Sequence, residues 1–471
     1  MSDKPPFRWA GTSARLLAGT LLSTLAVVAV VTAVSVPWPT IAQEPASVSA
    51  VPAPAASVIA CSGGVLTIGS QFSDASALDL AARQSVVSGV AEGVAEPTET
   101  ELTVPQAPGD SVASFTSLPA DRTRTDVAAS GASTVRTEAL AGFAASACRP
   151  PLMESWLVGG SADTGAADLV VLSNPGTVPA TVQLTVYGVD GAQTPPGGAD
   201  LVVAPGTQQI VPLAGLALGE ASPVVRVSST GAPVSAGLQT SITRVLTPGG
   251  VDQVGPVRAP ETTQIIAGVA VTASPGELGA SDSATLLRVL APSADTTAEV
   301  RVSPIGASNG AVESRTVELT AGQPAEVDLG GLAVGTYTVQ VAAAEPVVAA
   351  VWQATGFDEG DDFAWFTPAP LVETPSLFAT TRGPLPTLSL VNDDDEPAVV
   401  SVASVDGAFR LEVTVPAQGS TLARLSARTV YLLESDGTGV RAGLTLSGDG
   451  ALAGFPVWPA DAASPAITVY P

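Results

Sequence analysis

Residues 168–191, DLVVLSNPGTVPATVQLTVYGVDG, contain the pattern that decides the fold. An apolar run is followed by the turn-forming residues 174–176 and then by a segment with an apolar side chain at every second position. Because successive side chains of a strand point to opposite faces, this period of two puts Val182, Leu184 and Val186 on one face. The stretch therefore predicts two strands joined by a polar turn, the second of them half-buried.

The same pattern occurs twice more along the chain, at residues 284–306 (ATLLRVLAPSADTTAEVRVSPIG) and 386–407 (PTLSLVNDDDEPAVVSVASVDG). The match continues downstream, where residues 213–219 (LAGLALG) correspond to residues 329–335 (LGGLAVG). Self-similarity at a fixed spacing is the signature of repeated structural units. The alternating apolar residues of the two later copies are Ala298, Val300 and Val302, and then Val400 and Val402.

The repeat length of roughly 95–115 residues is close to that of an immunoglobulin-like domain, and short strands with frequent turns are typical of a β-sandwich. The 46 glycines and 40 prolines also indicate many turns. We predict an all-β ectodomain of tandem immunoglobulin-like β-sandwich modules after a single N-terminal transmembrane helix. The predicted organisation is a cytoplasmic tail (1–15), a transmembrane helix (16–36), a Pro/Ala/Ser stalk (37–57), an N-terminal β module with the cysteine pair (58–152), and β-sandwich repeats 1 (153–262), 2 (263–374) and 3 (375–471).

The uncharged run 16–36 is long enough to span a hydrocarbon core of about 30 Å at a rise of about 1.5 Å per residue. Lys4, Arg8 and Arg15 precede the run, so the positive-inside rule predicts a cytoplasmic N-terminus and an extracellular bulk at the cell membrane. The alternative is a signal peptide cleaved near residues 40–42 (TIA). The apolar region of a signal peptide is shorter, about 7–15 residues, which favours the retained anchor.

The composition excludes several classes of function. The net charge is −25, so nucleic acid, which binds to a positive surface, is not an expected partner. The chain has no histidine, which removes Ser-His-Asp and Cys-His catalysis and histidine-ligated zinc. Nucleophile-elbow and phosphate-cradling motifs do not occur either. We predict that the protein is not an enzyme and has no cofactor and no metal.

Cys61 and Cys148 are the only two cysteines. An even pair in an oxidising compartment predicts a disulfide, and two free buried thiols are the alternative. Such a bridge would also agree with the predicted extracellular location of this part of the chain.

The pieces Cys148-Arg-Pro-Pro, Trp156-Leu-Val-Gly-Gly-Ser161, Leu172-Ser-Asn-Pro175 and 182–188 (VQLTVYG) resemble a known family. Its members are uncharacterised actinobacterial proteins, known only as a domain of unknown function, in which one membrane segment precedes β-rich modules. The resemblance covers most of the ectodomain and implies a protein of a high-GC Gram-positive envelope. It brings no activity and no catalytic residue.

Aromatic and acidic residues are concentrated at 352–366. Exposed tryptophans beside carboxylates suit sugar binding, since a sugar stacks its C–H faces on rings and bonds its hydroxyls to carboxylates. The same carboxylates suit Ca²⁺, although the ligand order of a calcium loop is missing. Trp458 recurs at the matching place of repeat 3, which favours a core or interface role instead. The candidate ligand-binding residues are Trp352, Asp358, Glu359, Asp361, Asp362 and Trp365.

The densest acidic run is residues 393–396 (DDDE), which aligns with the turn at 174–177 (NPGT) of repeat 1. This alignment favours a solvated hairpin tip over a cation site. Four adjacent exposed acids also stay ionised, which makes them a poor glycosidase pair.

These observations together predict a non-enzymatic, membrane-anchored extracytoplasmic cell-envelope protein that acts as a structural or adaptor module. Its expected partners are the membrane and either cell-wall glycan or other envelope proteins. The alternative is a glycan-binding accessory protein in cell-wall or exopolysaccharide assembly.

Overall fold

The computed structural model describes residues 7–35, 48–50, 53–68, 78–120, 123–273, 284–306, 313–460 and 467–469. Strands make up 56% of the protein and helix 7%, which confirms the all-β prediction. Two compact units are present. One contains Met1–Pro52 with Pro465–Pro471, and the other contains Ala53–Ser464.

The first unit contains a helix, α1 (Phe7–Ser35), and a pair of short antiparallel strands, β1 (Val48–Ala50) and β35 (Ile467–Val469). Residues Ser13–Ser35 of α1 have a mean hydropathy of 2.2 and are long and apolar enough to cross a membrane. Val36, the last residue of the predicted span, lies outside the described residues. The expected single apolar N-terminal helix is confirmed, and its insertion in a membrane stays a prediction.

Four hydroxyl groups of α1 donate to carbonyls of the helix itself: those of Thr20, Ser23, Thr24 and Thr32. Thr24 Oγ1 donates to the carbonyl of Thr20 at 2.7 Å, and Thr32 Oγ1 donates to the carbonyl of Val28 at 2.5 Å. Such i to i−4 bonds leave no polar side-chain group without a partner at these positions, which suits an apolar surrounding. Within the predicted stalk, β1 forms a paired strand that the Pro/Ala/Ser composition did not indicate.

In its described residues, the second unit contains strands and two short 3-10 helices, Pro196–Gly198 and Leu213–Gly215. Its strands are β2 (Ser57–Ala60), β3 (Val65–Ile68), β4 (Leu78–Ala82), β5 (Ser85–Gly89), β6 (Thr98–Thr103), β7 (Ser111–Ser117), β8 (Ala128–Arg136), β9 (Ala141–Ala147), β10 (Glu154–Val158), β11 (Leu169–Asn174), β12 (Ala180–Gly188), β13 (Gly191–Gln193), β14 (Leu201–Val203), β15 (Thr207–Pro212), β16 (Val224–Thr230), β17 (Ser235–Arg244), β18 (Thr247–Val254), β19 (Glu261–Val271), β20 (Thr285–Leu290), β21 (Thr296–Pro304), β22 (Glu313–Leu319), β23 (Ala325–Asp328), β24 (Gly335–Ala354), β25 (Phe363–Phe366), β26 (Leu371–Val372), β27 (Ser376–Ala379), β28 (Pro386–Asn392), β29 (Ala398–Ser404), β30 (Arg410–Val415), β31 (Gly419–Arg424), β32 (Val430–Ser435), β33 (Val440–Gly448) and β34 (Ala451–Pro456).

The predicted repeats each pair strands within their own stretch of chain. In repeat 3, the sheet β26-β33-β28-β31, with β34 attached to β33, shares a hydrophobic core with the sheet β27-β32-β29-β30. In repeat 2, the first half of β24 pairs with β19 and β21, and its second half pairs with β20 and β25. Two sheets around one core are the layer arrangement of a sandwich. The immunoglobulin-like topology and the module boundaries stay predictions.

One seven-stranded sheet joins the predicted N-terminal module to repeat 1, in the order β18-β17-β11-β15-β6-β7-β2. All its pairings are antiparallel except the single contact of Thr207 with Thr103. The amide side chain of Gln239 also bonds to the backbone of Leu66, as a neighbouring strand would. The Leu66 N–H donates to Gln239 Oε1 (2.8 Å), and Gln239 Nε2 donates to the Leu66 carbonyl (2.6 Å). The N-terminal module is therefore built into the same compact unit as the repeats.

The two-residue alternation predicted the buried faces correctly. Val182 and Leu184 are fully buried in β12, as are Ala298 and Val300 in β21. In repeat 3, the matching valines of β29 are buried as well. A strand with this period buries one face against the partner sheet and leaves the other at the surface.

An asparagine at the end of β11 in repeat 1 and of β28 in repeat 3 stabilises the turn that follows. Asn174 Nδ2 donates to the carbonyl of Val178 (2.8 Å), and its Oδ1 accepts from the Gly176 N–H (3.0 Å). Asn392 Nδ2 donates in the same way to the carbonyl of Glu396 at 2.7 Å. Asparagine thus occurs at both positions for the same structural reason, because its side chain stabilises turns by bonding to nearby backbone groups.

The predicted disulfide is confirmed, since Cys61 and Cys148 are bonded.

The acidic run 393–396 is a turn, as predicted, but not a hairpin tip. It connects β28 to β29, which belong to two different sheets and do not pair with each other. Residues 394–396 are exposed, whereas Asp393 is half-buried and forms an ion pair with Arg441 at 3.1 Å.

Candidate functional site

The two tryptophans predicted to bind a ligand lie directly opposite each other on neighbouring strands. Trp352 of β24 is paired in register with Trp365 of β25. Their exposed fractions are only 7% and 6%, so they are not the exposed platform that the sugar-binding interpretation assumed. Their burial agrees with the core or interface interpretation.

The acidic residues between these strands have separate roles. Asp358 and Glu359 are exposed, and Asp361 Oδ2 accepts the Asp358 N–H at 2.8 Å. Within the described parts of the chain, no three acidic or sulfur side chains converge to hold a metal ion.

Asp362, the fourth predicted acidic ligand, is buried and holds backbone groups of other segments. Its Oδ2 accepts the Phe143 N–H of β9 at 2.7 Å, and its Oδ1 accepts the Val251 N–H of β18 at 3.1 Å. Gly142 and Gly250 make room for it, since a Cβ on either would lie 2.7 Å from Oδ1. Burial raises the pKa of Asp362 to about 7. This carboxylate joins strands and is not available to a ligand.

Asp252 of β18 is a second buried carboxylate, which the sequence analysis missed. Its Oδ2 accepts the Trp365 N–H at 2.7 Å, and its Oδ1 accepts the Gln253 N–H at 2.8 Å. Burial raises its pKa well above the ordinary value, and the nearby charge of Asp362 raises it further. Asp252 thus fixes the strand that carries Trp365.

A cavity of about 210 Å³ lies between residues of repeat 1 and residues of repeat 2. We call it the junction cavity. One wall is aromatic and consists of Trp352, Phe363 and Trp365, and Ile242 and Leu286 extend the apolar lining. The polar side chains at the cavity are Asp168, Thr240, Arg288 and Glu326, with Ser161 beside them.

Arg288 is the positive charge of the junction cavity, and its guanidinium is fully engaged. Nη2 donates to Glu326 Oε1 at 2.8 Å, and Nη1 donates to the carbonyls of Gly160 (2.7 Å) and Pro223 (3.0 Å). The guanidinium carbon lies 4.8 Å from the ring centre of Trp365. Because a buried charge is costly unless it is paired and hydrogen-bonded, these contacts explain why a 3% exposed arginine is tolerated.

Asp168 is the buried carboxylate of the junction cavity. Its Oδ2 accepts the Ser161 N–H at 2.7 Å, and its Oδ1 accepts the Ser241 N–H at 2.8 Å. Burial raises its pKa to about 7, against the lowering effect of these bonds and of Arg288. Asp168 therefore ties the loop before β11 to β17.

The Gly-Gly pair of the motif Trp156-Leu-Val-Gly-Gly-Ser161 lies at this cavity. A Cβ on Gly159 would lie 3.1 Å from the Trp365 ring, and one on Gly160 would lie 2.7 Å from Asp168 Oδ2. Gly160 also has a φ of +73°, which favours glycine. The sequence piece that carried the family resemblance thus shapes the wall of the junction cavity.

Thr240 is the remaining polar group of the junction cavity and differs from the others. Its exposed fraction is 1%, yet its hydroxyl has no hydrogen-bond partner among the described residues. Buried hydroxyls in folded proteins are nearly always paired with protein or water. Thr240 therefore carries an unused donor and acceptor in the wall of the cavity.

We expect stability to fall as the pH rises from about 4 to about 7. Since Asp168 and Asp362 have a raised pKa of about 7 in the folded state, the folded state binds more protons than the unfolded chain in this range. Their contribution is complete below the unfolded pKa of about 4 and is lost as the pH passes through 7.

Thermal unfolding at constant ionic strength measures this dependence. Asp168→Asn should give a shallower slope between pH 4 and 7 than the parent chain. The exposed Asp163, changed to Asn, reports the effect of removing one surface charge. A slope in Asp168→Asn equal to that of the parent would contradict the role given to this carboxylate.

The sequence analysis missed Asp168, Asp252, Thr240, Arg288 and Glu326. A signal was present for one of them, because Asp252 is a charged residue within the strand segment 251–254 (VDQV), which is buried throughout. A charged residue at a position that the strand pattern buries indicates a paired or structural role.

Comparisons with known proteins place these features in context. A family described as "Family of unknown function (DUF5719)" matches residues 103–428, which include the whole junction cavity. No curated protein is similar to this chain at a significant level. A solved structure described as "Biofilm associated protein - BSP domain" has 9% sequence identity and a TM-score of 0.12, covering 91% of this chain and 100% of that one.

Proposed function

Since this chain belongs to the family of unknown function that matches residues 103–428, we propose its role from its own architecture. It is a non-enzymatic, membrane-anchored extracytoplasmic protein of an actinobacterial cell envelope, and it acts as a structural or adaptor module. Its N-terminus is cytoplasmic, and its β-rich part contacts cell-wall glycan or other envelope proteins.

One observation carries the proposal: the apolar part of α1, Ser13–Ser35, is exposed along its most apolar stretch, since no described residue buries it. Apolar surface left uncovered by the chain itself is stabilised by lipid or by a partner. The disulfide supports an oxidising, extracytoplasmic location for residues 61 and 148.

The buried acids support a structural role over a catalytic one. Asp168, Asp252 and Asp362 each accept two or more backbone N–H groups. A catalytic acid or base needs to reach a substrate in hydrogen-bonding distance. Asp252 and Asp362 do not line the junction cavity and instead join segments of the fold.

Fractionation of cells that make the full chain tests the anchor. We expect the protein in membranes after carbonate washing, at its full mass, with all but the N-terminal residues digested by external protease. Leu25→Arg places a charge in the middle of α1 and should reduce retention, because a central arginine costs about 2.5–3.5 kcal/mol of insertion free energy. Leu218→Arg, at an exposed site of the β unit, is the matched control. Recovery of a soluble chain that begins near Gln43 would contradict the anchor.

The second candidate function is a glycan-binding accessory role in cell-wall or exopolysaccharide assembly. It is favoured by Trp352 and Trp365, which lie together in the wall of the junction cavity. Titration of the protein with cell-wall polysaccharides should change its tryptophan fluorescence. A null response across the polysaccharides of the producing cell would reject this candidate and leave the adaptor role standing.

A further inference from the structure

We propose that the junction cavity binds one uncharged sugar ring, such as the terminal pyranose of an envelope glycan. This inference rests on the glycan-binding candidate above and names the site, the ligand class and the group that recognises it. It is argued from the shape of the cavity, its unused polar groups and its charge.

The size of the cavity selects a single ring. Pockets that enclose drug-sized molecules have volumes of about 300–1,000 Å³, and the junction cavity has about 210 Å³. The long axis of a polysaccharide does not fit inside such a volume, whereas one terminal or branching residue does. The remainder of the glycan would lie in solvent.

The aromatic wall gives the ring an apolar surface to pack against. Trp352 and Phe363 are in contact, with ring centres 6.0 Å apart, and Trp365 is directly opposite Trp352 across the strand pair. Asp252 fixes the backbone of Trp365, so the wall is preorganised. A rigid aromatic surface loses little side-chain entropy on binding, which favours affinity.

Two polar groups remain free to receive ring hydroxyls. The Thr240 hydroxyl has no partner among the described residues, although the side chain is 1% exposed. Glu326 uses Oε1 for both bonds to Arg288, which leaves Oε2 as an acceptor. A hydroxyl-bearing ring supplies both the donors and the acceptors that these groups need.

The charge balance favours an uncharged ring. The positive charge of Arg288 is already paired with Glu326, and its N–H groups are used on backbone carbonyls. A carboxylate on the ligand would lie in the same cavity as Glu326 and Asp168, with Arg288 already paired. Charges of the same sign repel each other within so small a cavity. Uronic acids should therefore bind more weakly than the corresponding neutral sugars.

The test uses the full chain in lipid nanodiscs, because maltoside detergents carry sugar head groups. Saturation-transfer NMR is recorded with the methyl glycosides of glucose, galactose, mannose, rhamnose and arabinose, and with glucuronate. We expect at least one neutral glycoside to receive saturation and glucuronate to receive less. Thr240→Val should weaken that binding about 5-fold, the effect of one lost hydrogen bond, without lowering the unfolding temperature. Ile242→Trp, which fills the cavity, should abolish it.

Thr338→Val is the matched control, because the Thr338 hydroxyl is also buried without a partner but lies away from the cavity. Binding that survives both Thr240→Val and Ile242→Trp, or that Thr338→Val weakens equally, overturns the inference. If the polysaccharides bind and no glycoside does, the inference fails and the accessory function stands. If a glycoside binds through Thr240 and no polysaccharide does, the inference stands and the accessory function fails.

Discussion

Replacing Asp362 by alanine is expected to lower the free energy of unfolding by about 3–5 kcal/mol. The side chain accepts backbone N–H groups from Phe143, Val251 and, at 3.5 Å, Leu452. These segments lie 219, 111 and 90 positions away along the chain. Alanine would leave these buried donors without an acceptor, and each unsatisfied donor costs about 1–3 kcal/mol.

Urea unfolding of the parent chain and the variant, followed by tryptophan fluorescence, measures this loss. Asp362→Asn keeps one acceptor oxygen and should give an intermediate loss. Asp358→Ala removes a carboxylate from the exposed part of the same loop and should change stability by about 0.5 kcal/mol or less. Equal stabilities for Asp362→Ala and Asp358→Ala would show that Asp362 does not hold the four segments together.

Removing the disulfide is expected to destabilise the protein by about 4–5 kcal/mol. Cys61 and Cys148 are 87 positions apart, and closing a loop of this length restricts the unfolded chain strongly in the chain-entropy model. The bond also lies beside the bridge between Ala60 and Arg149, so the native backbone is already held in place there. Most of the effect should therefore come from the unfolded state.

The double variant Cys61→Ser with Cys148→Ser is compared with the parent chain in the same urea titration. Dithiothreitol should destabilise the parent by a similar amount and leave the double variant unchanged. If the native parent chain takes up two equivalents of an alkylating reagent without reduction, the bridge is absent and the expectation fails.

The strands and turns of the repeats could be predicted from the sequence, because their signals are local. The alternation through Val182 and Leu184 determines which face is buried, whatever the partner sheet is. The turn at residues 393–396 was predicted from its alignment with Asn174. The disulfide was predicted from an even number of cysteines in a part of the chain expected to be extracytoplasmic.

The junction cavity could not be predicted in the same way, because its residues meet only through long-range packing. For sugar binding, Trp352 and Trp365 were predicted to be exposed, and they are buried. Their role in binding stays a prediction. Asp362 was predicted as one acid of a ligand-binding cluster, and its burial and its contact with Phe143 show that it is internal. The alternation along a strand predicts on which face of the sheet a residue lies. It does not predict which segment of the chain packs against that face.

The pairing of β1 with β35 has a mechanical consequence. Val48 lies opposite Val469, and Ala50 lies opposite Ile467, so tension between α1 and residue 469 would pull on the same end of this short ladder. Hydrogen bonds loaded in this direction break one after another instead of sharing the force. The three residue pairs would therefore separate before the rest of the protein is stretched.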